Sequence, residues 1–466
     1  MKPLSIRELR QAVGGKVISQ IVGHEPVVRA ICTDTRVMKP ASLFIALRGE
    51  NHDGHAHLAA AAAGGAIAAM IETPPAEEIP GLLLLQVPNT RTAMGRLATT
   101  IRKQLRGKVI AVGGSNGKTS TKHLIQAALG DRLRGSISPR SFNNDIGVPL
   151  TIFAADSSQD YLVLEMGTNH PGEMKLLSDM ARPDIAVITN VGCEHLEGLG
   201  DLDGVRREEA AMVAGLAEQG LLIVNGDDAG LLEAVGGYRG KRLTFGFDRS
   251  NDLFPTDIVC SDRGVRFKLN TSRTEVFVPL LGRHTAVNAL AAMAVARRMG
   301  VSDATILDGL AKATGPEMRL QLQRLGGISL LNDAYNANPE SMRAAMQTLA
   351  DLKADGRRIA VLGEMRELGE ATESLHRDIG QSAGGHGFDR IVFVGAFAQV
   401  MADAAVESGM AAGSVQTCAD AQQAAEVVPP LLADGDLVLI KASRGLRLER
   451  VAEAIHRGTG ASPVHP

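Results

Sequence analysis

Between about residue 107 and residue 313, runs that are apolar throughout ("KVIAVGG", "DYLVLEMG", "DIAVITNVG", "GLLIVNGDD") alternate with longer stretches of helical periodicity. A strand with no polar face has to be covered on both sides, and the helix after each run supplies the cover. The pattern predicts a parallel sheet between helical layers. The last third repeats it with "GISLLNDAY", "RIAVLGEM", "RIVFVGA" and "DLVLIKAS", predicting a second doubly wound α/β unit of about 150 residues. Between the two, "RLTFGF", "GVRFKLN" and "EVFVPL" read as a small antiparallel extension, and "TAVNALAAMAVARRMG" as a buried, Ala-rich helix closed by Gly300. The opening region mixes short strands with one Ala-rich helix around the Pro-rich turn "TPPAEEIPG", before the helical "TRTAMGRLATTIRKQL". A chain of 466 residues exceeds one core, and these shifts divide it into three α/β units at 1–86, 87–313 and 314–466.

Net charge is −3 with no basic block, so a nucleic-acid partner is not expected, and the absence of Trp removes the usual stacking platform for bases. Cys32, Cys193, Cys260 and Cys418 form no C-x-x-C pair. Neither a disulfide framework nor a structural zinc is expected, and a reducing cytoplasm is the natural compartment. "MKPLSIRELRQAVGG" is charged where a signal peptide needs an apolar core. "HLAAAAAGGAIAAMI" is short and broken by glycines, which suits a packed helix–strand segment rather than a membrane span.

The most chemically specific stretch is "GGSNGKTSTK", residues 113–122, between an apolar strand and an amphipathic helix. It resembles a phosphate-binding loop but is one residue shorter than G-x-x-x-x-G-K-[ST]. Glycines let backbone N–H groups approach phosphate oxygens, and the helix N-terminus adds partial positive charge. Lys118 is suited to β/γ-phosphates and the Thr119 hydroxyl to Mg²⁺; a ligand-free Gly-rich turn is the alternative. Magnesium needs further hard oxygen ligands, and Glu165 and His195 each follow a strand of the same sheet, where side chains enter the switch-point crevice.

Together "GGSNGKTSTK", "LEMGTNHPGEM", "TNVGCEHLEGLG", "GRHTAVNALAA" and "LNDAYNANPESM" resemble the Mur ligases, ATP-dependent amide-bond-forming enzymes, in which the shortened loop G-x-x-G-K-[ST] is usual. "DAYNANP", "VLGEMRELG", "KASRGLRLERV" and the N-terminal "TDTRVMKPASLFIALRGENHDGHAHL" are similar to the branch that adds D-alanyl-D-alanine to UDP-N-acetylmuramoyl-tripeptide. The resemblance implies a small UDP-substrate module, a central P-loop ATPase with a parallel sheet, and a C-terminal Rossmann-like domain. It implies ATP and Mg²⁺ as cofactors and an acyl-phosphate intermediate, in a protein expected to be a cytoplasmic monomer.

The resemblance also implies residue roles. Gly114, Ser115, Asn116, Gly117, Lys118, Thr119 and Ser120 would cradle the phosphates, with Mg²⁺ held by Thr119, Glu165 and His195. Asn288 would contact adenine, Arg319 the γ-phosphate and Asp333 the ribose, with Tyr335, Asn336 and Asn338 lining the closed cleft. Asn143, Asn144, Thr168 and Asn169 would lie near the muramoyl peptide. Asp34, Thr35, Arg36, Arg48, Gly49 and His55 would bind UDP, and Ser443 and Arg444 would face the dipeptide. The asparagines could instead be turn residues, and Arg36 and Arg48 solvated surface charges.

Two positions depart from the family. Where it carries a carbamylated lysine supporting a second Mg²⁺, this chain has Glu209 in "RREEAAM", expected either to help hold that metal or to belong to a charged helix face. Thr285 stands where the branch commonly shows Asn. A ligase adding the third amino acid would carry D-N-P-R instead of "YNANP". Folylpolyglutamate synthetase lacks the UDP-type module, and a nucleotide-dependent switch would form no amide bond.

Overall fold

The computed structural model describes residues 2–19 and 25–459; residues 1, 20–24 and 460–466, which fall in the first and third expected units, lie outside the described residues. The apolar runs of the middle region are strands of one six-stranded sheet. Its spatial order is Lys241–Phe245, Leu221–Asn225, Ile185–Ile188, Lys108–Gly113, Tyr161–Glu165, Gly135–Ile137. Every neighbouring pair is parallel. "RLTFGF" therefore belongs to the parallel sheet rather than to the antiparallel extension, and its exposed Lys241 and Arg242 suit an edge strand. The extension consists of Pro255–Ser261, Gly264–Leu269 and Glu275–Val278.

Alternate residues of the central strands feed two cores. Ile110, Val112, Val163 and Val187 pack with the helices Lys118–Leu129 and His284–Arg298. Val109, Ala111, Leu162 and Ile188 face Met94, Leu97, Ile152 and Met174 on the other side. Chain order reverses beside Lys108–Gly113, whose neighbours are Tyr161–Glu165 and Ile185–Ile188. Loops leaving the carboxyl ends at such a switch point diverge and open a crevice.

The N-terminal unit is a five-stranded sheet, Lys16–Val17, Leu83–Gln86, Ala66–Ile71, Ser42–Ile45, Ala30–Cys32. Its "HLAAAAAGGAIAAMI" segment is the helix Leu58–Ala63 followed by the strand Ala66–Ile71, and among the described residues no helix is long and apolar enough to cross a membrane. Leu43, Ile45, Met70 and Leu85 join the same apolar cluster as the central sheet through the helix Thr90–Arg102. The C-terminal sheet runs Gln321–Leu325, Ile328–Asp333, Leu437–Lys441, Arg358–Gly363, Arg390–Val394, Val415–Cys418, parallel except for its first pair. Gln321–Leu325 and Val415–Cys418 are edge strands of mixed polarity and carry no apolar-run signal.

Leu97 is fully buried in the core shared by the first two units. Leu97→Ala is expected to destabilise by ~2–5 kcal/mol. Chemical denaturation should then shift the N-terminal and central units together as one transition.

Candidate active site

The strand Lys108–Gly113 ends opposite Ile188, so residues 114–118 emerge beside residues 189–192. The two segments are laced together. Ser115 N–H donates to Asn190 O at 2.8 Å, Asn116 N–H to Asn190 Oδ1 at 2.8 Å, and Thr189 Oγ1–H to Asn116 O at 2.6 Å. Gly114 has φ +110°, and a side chain there would meet Thr189 Oγ1 at 2.3 Å; Gly117 has φ +81° and would meet Asn288 Oδ1 at 2.9 Å. Only glycine satisfies both constraints. Gly117 also N-caps the helix Lys118–Leu129 without offering a side-chain acceptor, so the first-turn N–H groups stay available to an anion.

Lys118 Nζ lies against Gly114 O, Ser115 O at 3.1 Å and Glu194 Oε1 at 3.5 Å. Burial alone would push its ammonium down, but Glu194, Glu209 and Glu165 outweigh that and hold it above its ordinary value. It is a fixed cation in a sparsely solvated place, as phosphate binding requires. Glu194 escaped the sequence reading although it precedes His195 in "GCEHLEG"; the signal was its place after the same strand.

The expected metal set of Thr119, Glu165, His195 and Glu209 is not assembled, and among the described residues no three His, Cys, Asp or Glu side chains gather as a cation site. Glu165 is 1% exposed and paired at 2.8 Å with Lys122, which is itself 0% exposed. Lys122 lies one helical turn beyond Lys118 and was missed because "GKTSTK" draws attention to its first lysine. His195 Nδ1 meets Glu367 of the C-terminal unit. Glu209 is buried behind the loop, outside the cavity lining, with its Oε2 accepting the Gly114 N–H at 2.7 Å. Burial, opposed by Lys118, pushes its carboxyl up to about 8. The expected metal role of Glu209 thus meets a carboxyl already engaged by the Gly114 N–H. Of the four, Thr119 has its Oγ1 buried without a hydrogen-bond partner. An orphaned hydroxyl at the end of a phosphate loop fits Mg²⁺, which takes few protein oxygens and completes its shell with phosphate and water.

Above the loop opens a cavity of about 1700 Å³, larger than the ~300–1,000 Å³ that serves one small ligand. It is lined from below by Ser115, Asn116, Gly117, Lys118, Ser120 and Asn288, and from the sides by Asn143, Asn144, Glu165, Thr168, Asn169, Glu194 and His195. Arg319, Asp333, Tyr335, Asn336 and Asn338 close it from across the cleft. Arg319 sits in the connector ahead of the strand Gln321–Leu325, its guanidinium 4.3 Å from the Tyr335 ring centre, and Tyr335 Oη–H donates to Ser141 Oγ at 2.6 Å. Asn338 N-caps the helix Pro339–Asp351, as its turn alternative foresaw, while its Nδ2 also donates to Asn116 Oδ1 at 3.0 Å. Asp333 accepts from Lys441 Nζ at 2.7 Å and from Leu320 N–H at 3.1 Å. Lys441, buried and in the lining, was a further omission. Thr285 donates to Leu281 O at 2.8 Å, leaving Asn288 to face Gly117.

The residues expected to bind UDP lie outside this cavity. Arg36 is 86% exposed and paired with Asp34 at 2.6 Å, next to Thr35. Arg48, followed by Gly49, reaches Asp53 at 3.2 Å and Thr73 Oγ1 at 3.0 Å. His55 spends both ring nitrogens within the unit, on Asp53 at 2.6 Å and Glu72 N–H at 2.9 Å. Ser443 is buried and accepts from Arg366 N–H at 3.0 Å; Arg444 leans over Tyr335 from 5.9 Å and lines a separate cavity.

Family profiles match three consecutive parts of the chain: "Mur ligase family, catalytic domain" over residues 27–102, "Mur ligase middle domain" over 112–296 and "Mur ligase, glutamate ligase domain" over 318–444. The chain is 36% identical to the UDP-N-acetylmuramoyl-tripeptide–D-alanyl-D-alanine ligase of Bacillus subtilis, covering 92% of this chain and 93% of that one. Among solved structures, MurF from Acinetobacter baumannii superposes with a TM-score of 0.87 at 31% identity, covering 98% and 99% of the two chains. MurF ligase from Thermotoga maritima in complex with ADP gives 0.82 at 25% identity, covering 93% and 98%.

Two substitutions probe this geometry. Gly117→Ala is expected to weaken nucleotide binding by at least ~10-fold, since it combines a strained backbone with a clash on Asn288; calorimetric titration with ADP measures it. For Glu209 the native carboxyl holds its proton to higher pH than the unfolded chain does. The stability it contributes is complete below about 4.5 and lost as pH rises to about 8. Melting temperatures across that window should fall more steeply for the wild type than for Glu209→Gln.

Proposed function

The chain belongs to the Mur ligase family, and from that premise we propose that it joins D-alanyl-D-alanine to UDP-N-acetylmuramoyl-tripeptide at the expense of ATP. It is an ATP-dependent amide-bond-forming ligase of peptidoglycan precursor synthesis. The observation that carries the reading is the cavity in which the phosphate loop faces Arg319, Tyr335 and Asn338 from the third unit, with room for more than one ligand.

The terminal carboxylate of the tripeptide attacks the γ-phosphorus, the bond to the β–γ bridging oxygen breaks, and ADP departs. The dipeptide amine then attacks the acyl-phosphate carbonyl, inorganic phosphate leaves and the nitrogen loses its proton. A carboxylate and a triphosphate repel, so the protein's task is positioning and charge neutralisation. We assign the β/γ-phosphates to Lys118 and the N–H groups opening its helix, and the transferring phosphoryl to Arg319, held by its stack on Tyr335. Glu165 with Lys122 and Asn143, and Thr168 with Asn169, are assigned to the wall that receives the tripeptide, and Asn288 to the adenine end. A Mg²⁺ ion would be held by Thr119 and would neutralise phosphate oxygens.

We place UDP on residues 1–86, ATP on 87–313 and the dipeptide against 314–466, near Ser443 and Arg444. Asp34, Thr35, Arg36, Arg48, Gly49 and His55 share that first unit, which supports the UDP assignment. A monomer is supported by a cavity completed within one chain, and the cytoplasm by four free cysteines.

Phosphate release measured over panels of UDP-tripeptides and dipeptides tests the reading. Release should require both substrates and yield one new amide per phosphate. Lys118→Ala should lose at least ~10²-fold in turnover, the scale of removing a preorganised charge-stabilising group. Release that needs neither acceptor would indicate a nucleotide switch, and normal turnover by Lys118→Ala would overturn the assignment of the loop.

A further inference from the structure

The segment following the strand Ile185–Ile188 is held from across the cleft by two carboxylates of the third unit. Cys193 N–H donates to Glu340 Oε2 at 3.1 Å. Two residues on, His195 Nδ1 meets the Glu367 carboxylate, and Glu197 N–H donates to Glu367 O at 3.1 Å. Glu367 therefore grips this turn by both side chain and main chain. The fit is close: a side chain on Gly369, two residues further, would meet the Glu197 backbone at 3.3 Å. Both ends of the contact have left-handed backbone, φ +52° at His195 and +63° at Glu367. Non-glycine residues adopt that conformation at a cost which the surrounding structure has to offset.

The geometry points to Glu367 as a positioning residue for His195, supplied from across the cleft by the third unit. Glu367 is 51% exposed and lies outside the lining of the large cavity, so it touches no reacting group. His195 and Glu194 both line that cavity, with His195 Nε2 3.9 Å from Glu194 Oε2. A carboxylate on Nδ1 selects the tautomer protonated there and leaves the Nε2 lone pair toward the cleft. Without that carboxylate the ring can turn, and either nitrogen can carry the proton. The third unit thus supplies Arg319 and also sets the orientation of an imidazole on the opposite wall. Nothing local in "VLGEMRELG" signals this, because the partner is 172 residues away.

The inference rests on the ligase reading, and the test separates the two. Ligation is measured for the full-length wild type, Glu367→Ala, His195→Ala and the double variant. Glu367→Ala should lower kcat by ~10–100-fold, with KM values for ATP and UDP-tripeptide within about twofold. The double variant should lose no more than His195→Ala alone, since the two act as one unit. Nitrogen NMR of histidine-labelled protein supplies a readout independent of turnover. The His195 resonance, assigned by its loss in His195→Ala, should report the Nδ1–H tautomer in the wild type and a mixture in Glu367→Ala. Additive losses in the double variant, or an unchanged tautomer, overturn the proposal. A wild type that does not ligate overturns the ligase reading instead, while the tautomer measurement still decides the pair.

Discussion

Parallel pairing of Ile185–Ile188 with Lys108–Gly113 is the constraint on which the site depends. It ends the two strands together, so Thr189 and Asn190 lie where they can bind the backbone of the emerging loop. Those contacts, with Glu209 beneath, occupy the N–H groups of Gly114, Ser115 and Asn116. The donors left for a ligand are those opening the helix after Gly117. A loop one residue short of the longer form is thus braced by its neighbour and concentrates anion binding at the helix N-terminus.

Charge is arranged around that terminus with little slack. Lys118 and Lys122 are both largely removed from water, and each is faced by a carboxylate, Glu194 and Glu165. A cation kept charged away from solvent needs such partners, and removing either member of a buried pair is more costly than the pair is stabilising. Glu209 adds a third carboxyl, which burial discourages from ionising against the pull of Lys118. The apparent excess of acid beneath a polyanion site is what holds its lysines ready.

Much of this was legible in the chain. Parallel strands place their carboxyl ends on one side, so the loop, Glu165 and His195 could be assigned to one crevice from apolar runs alone. The three-unit α/β architecture was legible for the same reason. Lys241–Phe245 was misread because its exposed basic residues mimic the rhythm of a half-solvated strand. The partners of His195, Glu165 and Glu209 were not legible. Each is fixed by a three-dimensional contact, from Glu367, Lys122 and the Gly114 N–H, that no spacing rule encodes. Asn338 shows the intermediate case, since its capping role is local and its reach to Asn116 is not.

One continuous apolar core unites the first two units, and the third is joined to them by the connector between the helix Asp303–Ala311 and the strand Gln321–Leu325. Arg319 lies there, between Met318 at φ +53° and Leu320 at φ +48°. The aim of the guanidinium is thereby fixed by two left-handed residues that flank it, so the connector sets the direction of this charge as well as its place.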